Sequence, residues 1–153
     1  MKMEEFDKNL KEAIRHLHIA DHMLYVTFPL VKENRLLLKI FDEIYASIIR
    51  SINSVLKYER FCKRINSYNY NNNFDTFIRI AKNYGLSDEH LKKIKEVIII
   101  NKRHKQSSME FIKKDKIVIM SNKLGIEVLD LSTIKQYLLV AKELLVKVSH
   151  GIR

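Results

Sequence analysis

The stretch that decides the fold is "NRLLLKIFDEIYASIIRSINSVLKYERFCKRI", residues 34–65. It holds neither glycine nor proline. Its residues Leu37, Phe41, Ile44, Ile48, Ile52, Val55 and Cys62 recur at spacings of three, four or seven. That period places them on one face of a helix. From about Asn34 to Ile65, a rise of 1.5 Å per residue makes a rod of roughly 45 Å. An apolar stripe of that length needs other helices to cover it, which argues for a bundle.

Upstream, Phe6, Leu10, Ile14, Leu17, Leu24 and Phe28 mark a first helix from about Met3 to Thr27. Pro29 in "FPL" is expected to stop it, because the residue before a proline disfavours helical geometry. Two long antiparallel helices then make the spine. Downstream, "NSYNYNNNF", Asn66 to Phe74, reads as a polar loop. A third helix is expected over about Asp75 to Tyr84, with Phe77, Ile80 and Ala81 inward and Gly85 as a left-handed stop. Ser87 is a good N-cap for the next helix, and Asp88 and Glu89 suit its positive end. That helix runs through "LKKIKEVIIINKRHK". Its run Val97 to Ile100, apolar on all sides, points to deep burial.

Ile117 to Met120 and Ile126 to Leu129 are β-prone around "SNKLG", a loop of hairpin length. Ser132 is the expected N-cap of a last helix. Its stripe is Ile134, Tyr137, Leu138, Ala141, Leu144, Leu145 and Val148. The expectation is a mainly α protein: an antiparallel helical bundle with two long N-terminal helices and a small β-hairpin before the last helix. No linker or repeat interrupts it, so residues 1–153 read as one domain.

The totals agree. Three glycines and one proline in 153 residues are too few turn residues for a β-sandwich or a dinucleotide-binding fold. The formal charge of +10 permits nucleic acid, an anionic membrane surface or an acidic protein as partner. Cys62 is the one cysteine, which excludes an internal disulfide and a cysteine-cluster zinc site, and suits a reducing cytoplasm. No signal-peptide core and no apolar run near 20 residues is visible, so a soluble cytoplasmic chain is expected.

Several polar residues fall on or beside apolar stripes. In "RHLHIADHMLY", Arg15 to Tyr25, Asp21 projects among Phe6, Leu10, Leu17 and Leu24. His18 and His22 lie one turn apart on the flank of that stripe, while His16 points elsewhere. Two histidines at i and i+4 can bind one ion, with Asp21 as an oxygen ligand. The metalloprotease glutamate is missing from "HIADH", however. The alternative is a structural pair hydrogen-bonded to Asp21. Glu59 projects between Val55 and Leu56, where an unpaired carboxylate is costly. Its neighbours Arg60 and Lys63 are candidate partners.

The candidate binding surface is "NKRHKQSSMEFIKKDK", Asn101 to Lys116. Lys102, Arg103, Lys105, Lys113, Lys114 and Lys116 there surround a helix end and a loop. They suit phosphate contacts, and His104 among them can serve as an acid or base. The alternative is a solvated charged edge. No Walker loop, zinc finger or RNA-recognition signature is present, so no cofactor is expected.

"ADHMLYVTFPLV" with "SVLKYERF" and "HKQSSMEFIKKDKIVIMS" resembles a family of small, mainly archaeal helical proteins of unassigned function. More loosely, the basic bundle is similar to HEPN domains. That resemblance implies nucleotide or RNA binding and, in active members, a ribonuclease built on an arginine and a later histidine with four to six residues between them. Arg15 and His22 meet that spacing, with six residues between them, although they lie in the first helix. Arg103 and His104 are adjacent and miss it. The functional expectation is therefore non-enzymatic nucleic-acid binding, with RNA ahead of a protein partner. Two alternatives stand beside it. One is an HEPN-like, metal-independent ribonuclease using His22 or His104 with Arg15 or Arg103. The other is a helical interaction or homo-oligomerisation module.

Overall fold

The computed structural model describes residues 4–65, 73–106, 109–113, 116–120 and 126–152. Helix α1 spans Glu5–His22, passes through a π-helical turn at Met23–Thr27, and continues as the short α2, Phe28–Val31. Pro29 therefore does not stop the helix. It sits in the first turn of α2, where a missing N–H is tolerated, and the wider π turn precedes it. The reversal comes three residues later, at Lys32, in the left-handed conformation at φ 52°.

The long helix of the opening stretch is α3, Arg35–Phe61. Leu37, Phe41, Ile44, Ile48, Ile52 and Val55 are all buried as expected, but Cys62 is exposed, one residue beyond the helix. Lys63 then turns left-handed at φ 59°. The stripe's last expected member thus lies past the end of the rod.

Helices α1 and α3 pack antiparallel through small residues. Ala13, Ala20, Ser47, Ser51 and Ser54 are all fully enclosed. The serines bridge the seam: Ser47 donates to the Ala13 carbonyl and Ser54 to the Phe6 carbonyl, each at 2.8 Å. Small side chains let the two backbones approach closely, and the hydroxyls find acceptors without water.

Helix α4 spans Asn73–Ala81 and tightens into a 3-10 turn, Lys82–Tyr84, before Gly85 at φ 79°. Asn73 and Phe74, expected in the loop, belong to this helix; residues 66–72 lie outside the described residues. Helix α5 spans Asp88–Gln106, and Ser87 accepts from the His90 N–H at 3.2 Å, as its N-cap role requires. The expected deep burial of Val97 to Ile100 holds for one face only. Val97 and Ile100 are buried, while Ile99 is 38% exposed. Four consecutive residues turn through most of a helical circle, and one neighbouring layer covers only part of it.

Three strands follow in an antiparallel sheet of order β1-β2-β3: Met109–Lys113, Lys116–Met120 and Ile126–Asp130. The hairpin expected from sequence is β2–β3, with Met120 opposite Ile126; "SNKLG" itself lies outside the described residues. The strand β1 is the correction. It occupies part of the basic segment read as a loop, with Met109 opposite Met120 and Lys113 opposite Lys116. Ile117, Ile119 and Leu129 anchor the sheet in the core.

Helix α6 spans Leu131–Gly151, and all seven residues of its expected stripe are buried. Its N-cap is Asp130 rather than Ser132: the Asp130 carboxylate accepts from the Thr133 N–H at 2.8 Å. The start of the helix is thus two residues earlier than the sequence alone indicates. That hydrogen bond holds the Asp130 carboxyl below its usual range.

Candidate nucleic-acid interface

Antiparallel packing gathers one pole of the bundle. The C-terminal half of α1, the N-terminal turns of α3, the last turn of α5 and the inner face of α6 meet there. His16 and Glu43 face each other across α1 and α3, Asp42 approaches His104 of α5, and Asp21 reaches Lys142 of α6.

The last turn of α5 presents Lys102, Arg103 and Lys105 to solvent. Cations in that position also complement the negative end of the helix dipole. His104 turns the other way. Its Nε2 lies 4.0 Å from Asp42 Oδ1, and the ring is only 19% exposed. The Lys105 ammonium sits 5.7 Å from the centroid of the Tyr45 ring, and burial pushes the Tyr45 phenol up. Lys116 is exposed at the start of β2, in register with Asp130 at the start of α6. Lys113 closes β1 opposite it, its side chain outside the described residues, as is Lys114.

The α1 residues do not form one site. Arg15 is committed to Glu12, with Nη2 2.8 Å from Oε2. That hydrogen bond holds the Glu12 carboxyl low and the Arg15 guanidinium high. His22 lies seven positions further on, about 10 Å along the helix axis, beyond the reach of a shared contact. His18 and His22 are both exposed. Asp21 hydrogen-bonds to neither of them; its Oδ1 accepts from Lys142 Nζ at 2.6 Å, with both side chains about two-fifths exposed. Among the described residues, no group of three or more His, Cys, Asp or Glu is arranged to hold a metal ion.

Glu59 is buried, 3% exposed, and its partner is Arg64, not Arg60 or Lys63. The chain turns back at Lys63, which brings the Arg64 Nε onto the carboxylate. Tyr84 packs over this end, against Gly151 of α6, where a Cβ would overlap its ring. Burial, with the Glu59 charge nearby, pushes the Tyr84 phenol up.

Sequence reasoning passed over four contacts. His16 Nδ1 lies 2.5 Å from Glu43 Oε2, in a direction on α1 that sets it apart from His18 and His22. His90 Nε2 pairs with Glu143 at a groove of about 500 Å³ between α5 and α6, lined also by Glu89, Lys93 and Gln136. Lys135 and Lys142 place their ammoniums 5.9 and 5.7 Å from the Tyr25 ring centroid. His16 and Glu43 are 27 positions apart in the chain, and His90 and Glu143 are 53. Only the antiparallel order of α1 and α3, combined with residue type, offered a sequence signal, and only for His16 with Glu43.

No protein-family model matches the chain, and no curated protein matches it at a significant level. No helix among the described residues is long and apolar enough to cross a membrane.

Proposed function

We propose that the protein binds nucleic acid, RNA ahead of other polyanions, through the last turn of α5 and the adjoining edge of the sheet. The observation that carries this reading is the division of labour on one helical turn. Lys102, Arg103 and Lys105 face solvent, while the one acid–base group among them, His104, is only 19% exposed and lies beside Asp42 of α3. Exposed cations supply phosphate contacts. A largely covered histidine beside a carboxylate is poorly placed to take a proton from a bound strand. The arrangement therefore favours binding over cleavage, and the separation of Arg15 from His22 points the same way.

The test is a titration of fluorescent single-stranded RNA across a salt series. Affinity falls linearly on a log–log plot, and each lost phosphate contact lowers the slope by about 0.7. The variant Lys102→Glu/Lys105→Glu weakens binding about tenfold or more at low salt. Mobility of the RNA unchanged by the wild-type protein at low salt overturns the proposal. Cleavage of the RNA by wild type, lost in His104→Ala, replaces it with the ribonuclease reading.

A further inference from the structure

We infer that the turn joining α1 to α3 is a docking tip for an anionic lipid surface, with apolar side chains that enter the interface and a cationic rim that holds the headgroups. Tyr25 is 52% exposed, Val26 46%, Leu30 80% and Val31 60%. These four sit within seven consecutive residues of the π turn and α2. Scattered exposed apolar residues are ordinary, but a contiguous cluster at a turn calls for an occupant. Burial is available nearby, since Phe28 in the same turn is 7% exposed. The π turn and α2 thus give Leu24 and Phe28 to the core and offer four apolar side chains outward.

The charges around the cluster select the occupant. Lys32, Arg35 and Lys39 follow directly and are exposed. Lys135 and Lys142 of α6 lie over the Tyr25 ring, Lys142 being also paired with Asp21. From Tyr25 to Lys39 the only acid is Glu33, whose Oε1 lies 3.5 Å from the Arg35 backbone N–H. A second copy meeting this tip with its own would bring like charges together. RNA gains little from Leu30 and Val31, which have neither a π face for a base nor a donor for a phosphate. A bilayer with anionic headgroups matches both halves. Aliphatic side chains and a tyrosine partition into the headgroup–acyl boundary, and lysines extend their ammoniums toward phosphate. Each such cation strengthens association roughly fivefold. This tip lies at the same pole as the last turn of α5 but uses different residues, and it does not depend on the nucleic-acid reading.

The chain has no tryptophan, so Leu30→Trp is a clean reporter. Its emission shifts to the blue on adding phosphatidylcholine vesicles that contain phosphatidylglycerol, and not with phosphatidylcholine alone. In co-sedimentation with the same anionic vesicles, Leu30→Ser/Val31→Ser and Lys32→Glu/Arg35→Glu each bind at least about tenfold more weakly than wild type. Circular dichroism of both variants matches wild type, because the altered side chains are exposed, and the serine variant keeps its RNA affinity. Unchanged emission with anionic vesicles overturns the inference. So does wild-type vesicle binding by the serine variant. A blue shift without vesicles that grows with protein concentration assigns the tip to a second copy instead, and loss of RNA binding in the serine variant assigns it to the nucleic-acid surface.

Discussion

Asp21 and Glu59 project alike from the sequence and end in opposite surroundings. Both carboxylates fall on the apolar stripe of a long helix. Glu59, near the end of α3, is enclosed beneath Tyr84 and paired with Arg64 from the turn that follows. Asp21, near the end of α1, is 43% exposed and paired with Lys142 across the bundle. A helical projection gives direction but not depth. Near the end of a stripe, whether a carboxylate is covered depends on which element closes over it, and α4 with its 3-10 turn closes over Glu59 alone.

The largest effect is expected at the buried end. Arg64→Ala leaves the enclosed Glu59 carboxylate without its cation; Arg64 is itself 57% exposed, so the loss is smaller than for a fully buried pair but larger than at a pair exposed on both sides. Thermal denaturation should show a larger fall in Tm here than at Asp130 or Asp21. Adding Glu59→Gln should restore part of it, because a neutral amide costs less to bury. An Arg64→Ala protein that melts like wild type would mean that Glu59 is solvated, and the contrast with Asp21 would collapse.

Asp130 stands between the two extremes. It is half-buried and caps α6. Asp130→Ala should cost about 1 kcal/mol at neutral pH by denaturant titration. The folded-state pKa of Asp130 is lowered, so its contribution is complete above the unfolded value near about 3.9 and fades as pH falls through the folded one. The gap between variant and wild type should therefore hold from neutral pH down to about pH 4 and close below it. A gap that widens in acid would show the sign to be wrong.

The smallest effect is expected at the exposed pair. Lys142→Ala should lower stability by less than about 1 kcal/mol, with most of that loss removed by added salt. Asp21→Asn should behave alike, and the double variant should show little further change. A loss as large as that of Arg64→Ala would place Asp21 in the core, where the helical projection put it.

The long helices were legible because burial imposes a period. The stripe from Leu37 to Val55 and that from Ile134 to Val148 follow from spacing alone. The errors cluster where a local rule met a tertiary partner. Pro29 was accommodated by a π turn, Asp130 displaced Ser132 as cap, and Cys62 fell just past the end of α3. Strand β1 escaped notice because its glutamate and lysine flank only two apolar residues, Phe111 and Ile112, too few to show the alternation that marked β2 and β3. At the candidate interface, the basic run was visible as composition. That Lys102, Arg103, Lys105 and Lys116 are exposed while His104 is largely covered beside Asp42 was not.

Sequence by itself determined which residues needed covering: helical period fixes a stripe, and hydrophobic burial makes that stripe an interior. It also determined the shortage of turns that leaves a helical bundle as the simplest solution. Tertiary structure decided the partners of the charged groups. Lys142 for Asp21, Glu43 for His16 and Asp42 for His104 are separated by many residues in the chain and meet only because antiparallel packing folds one helix end onto another. Electrostatic pairing acts over a few ångströms, and no periodicity in one helix can report what a neighbouring helix brings within that distance.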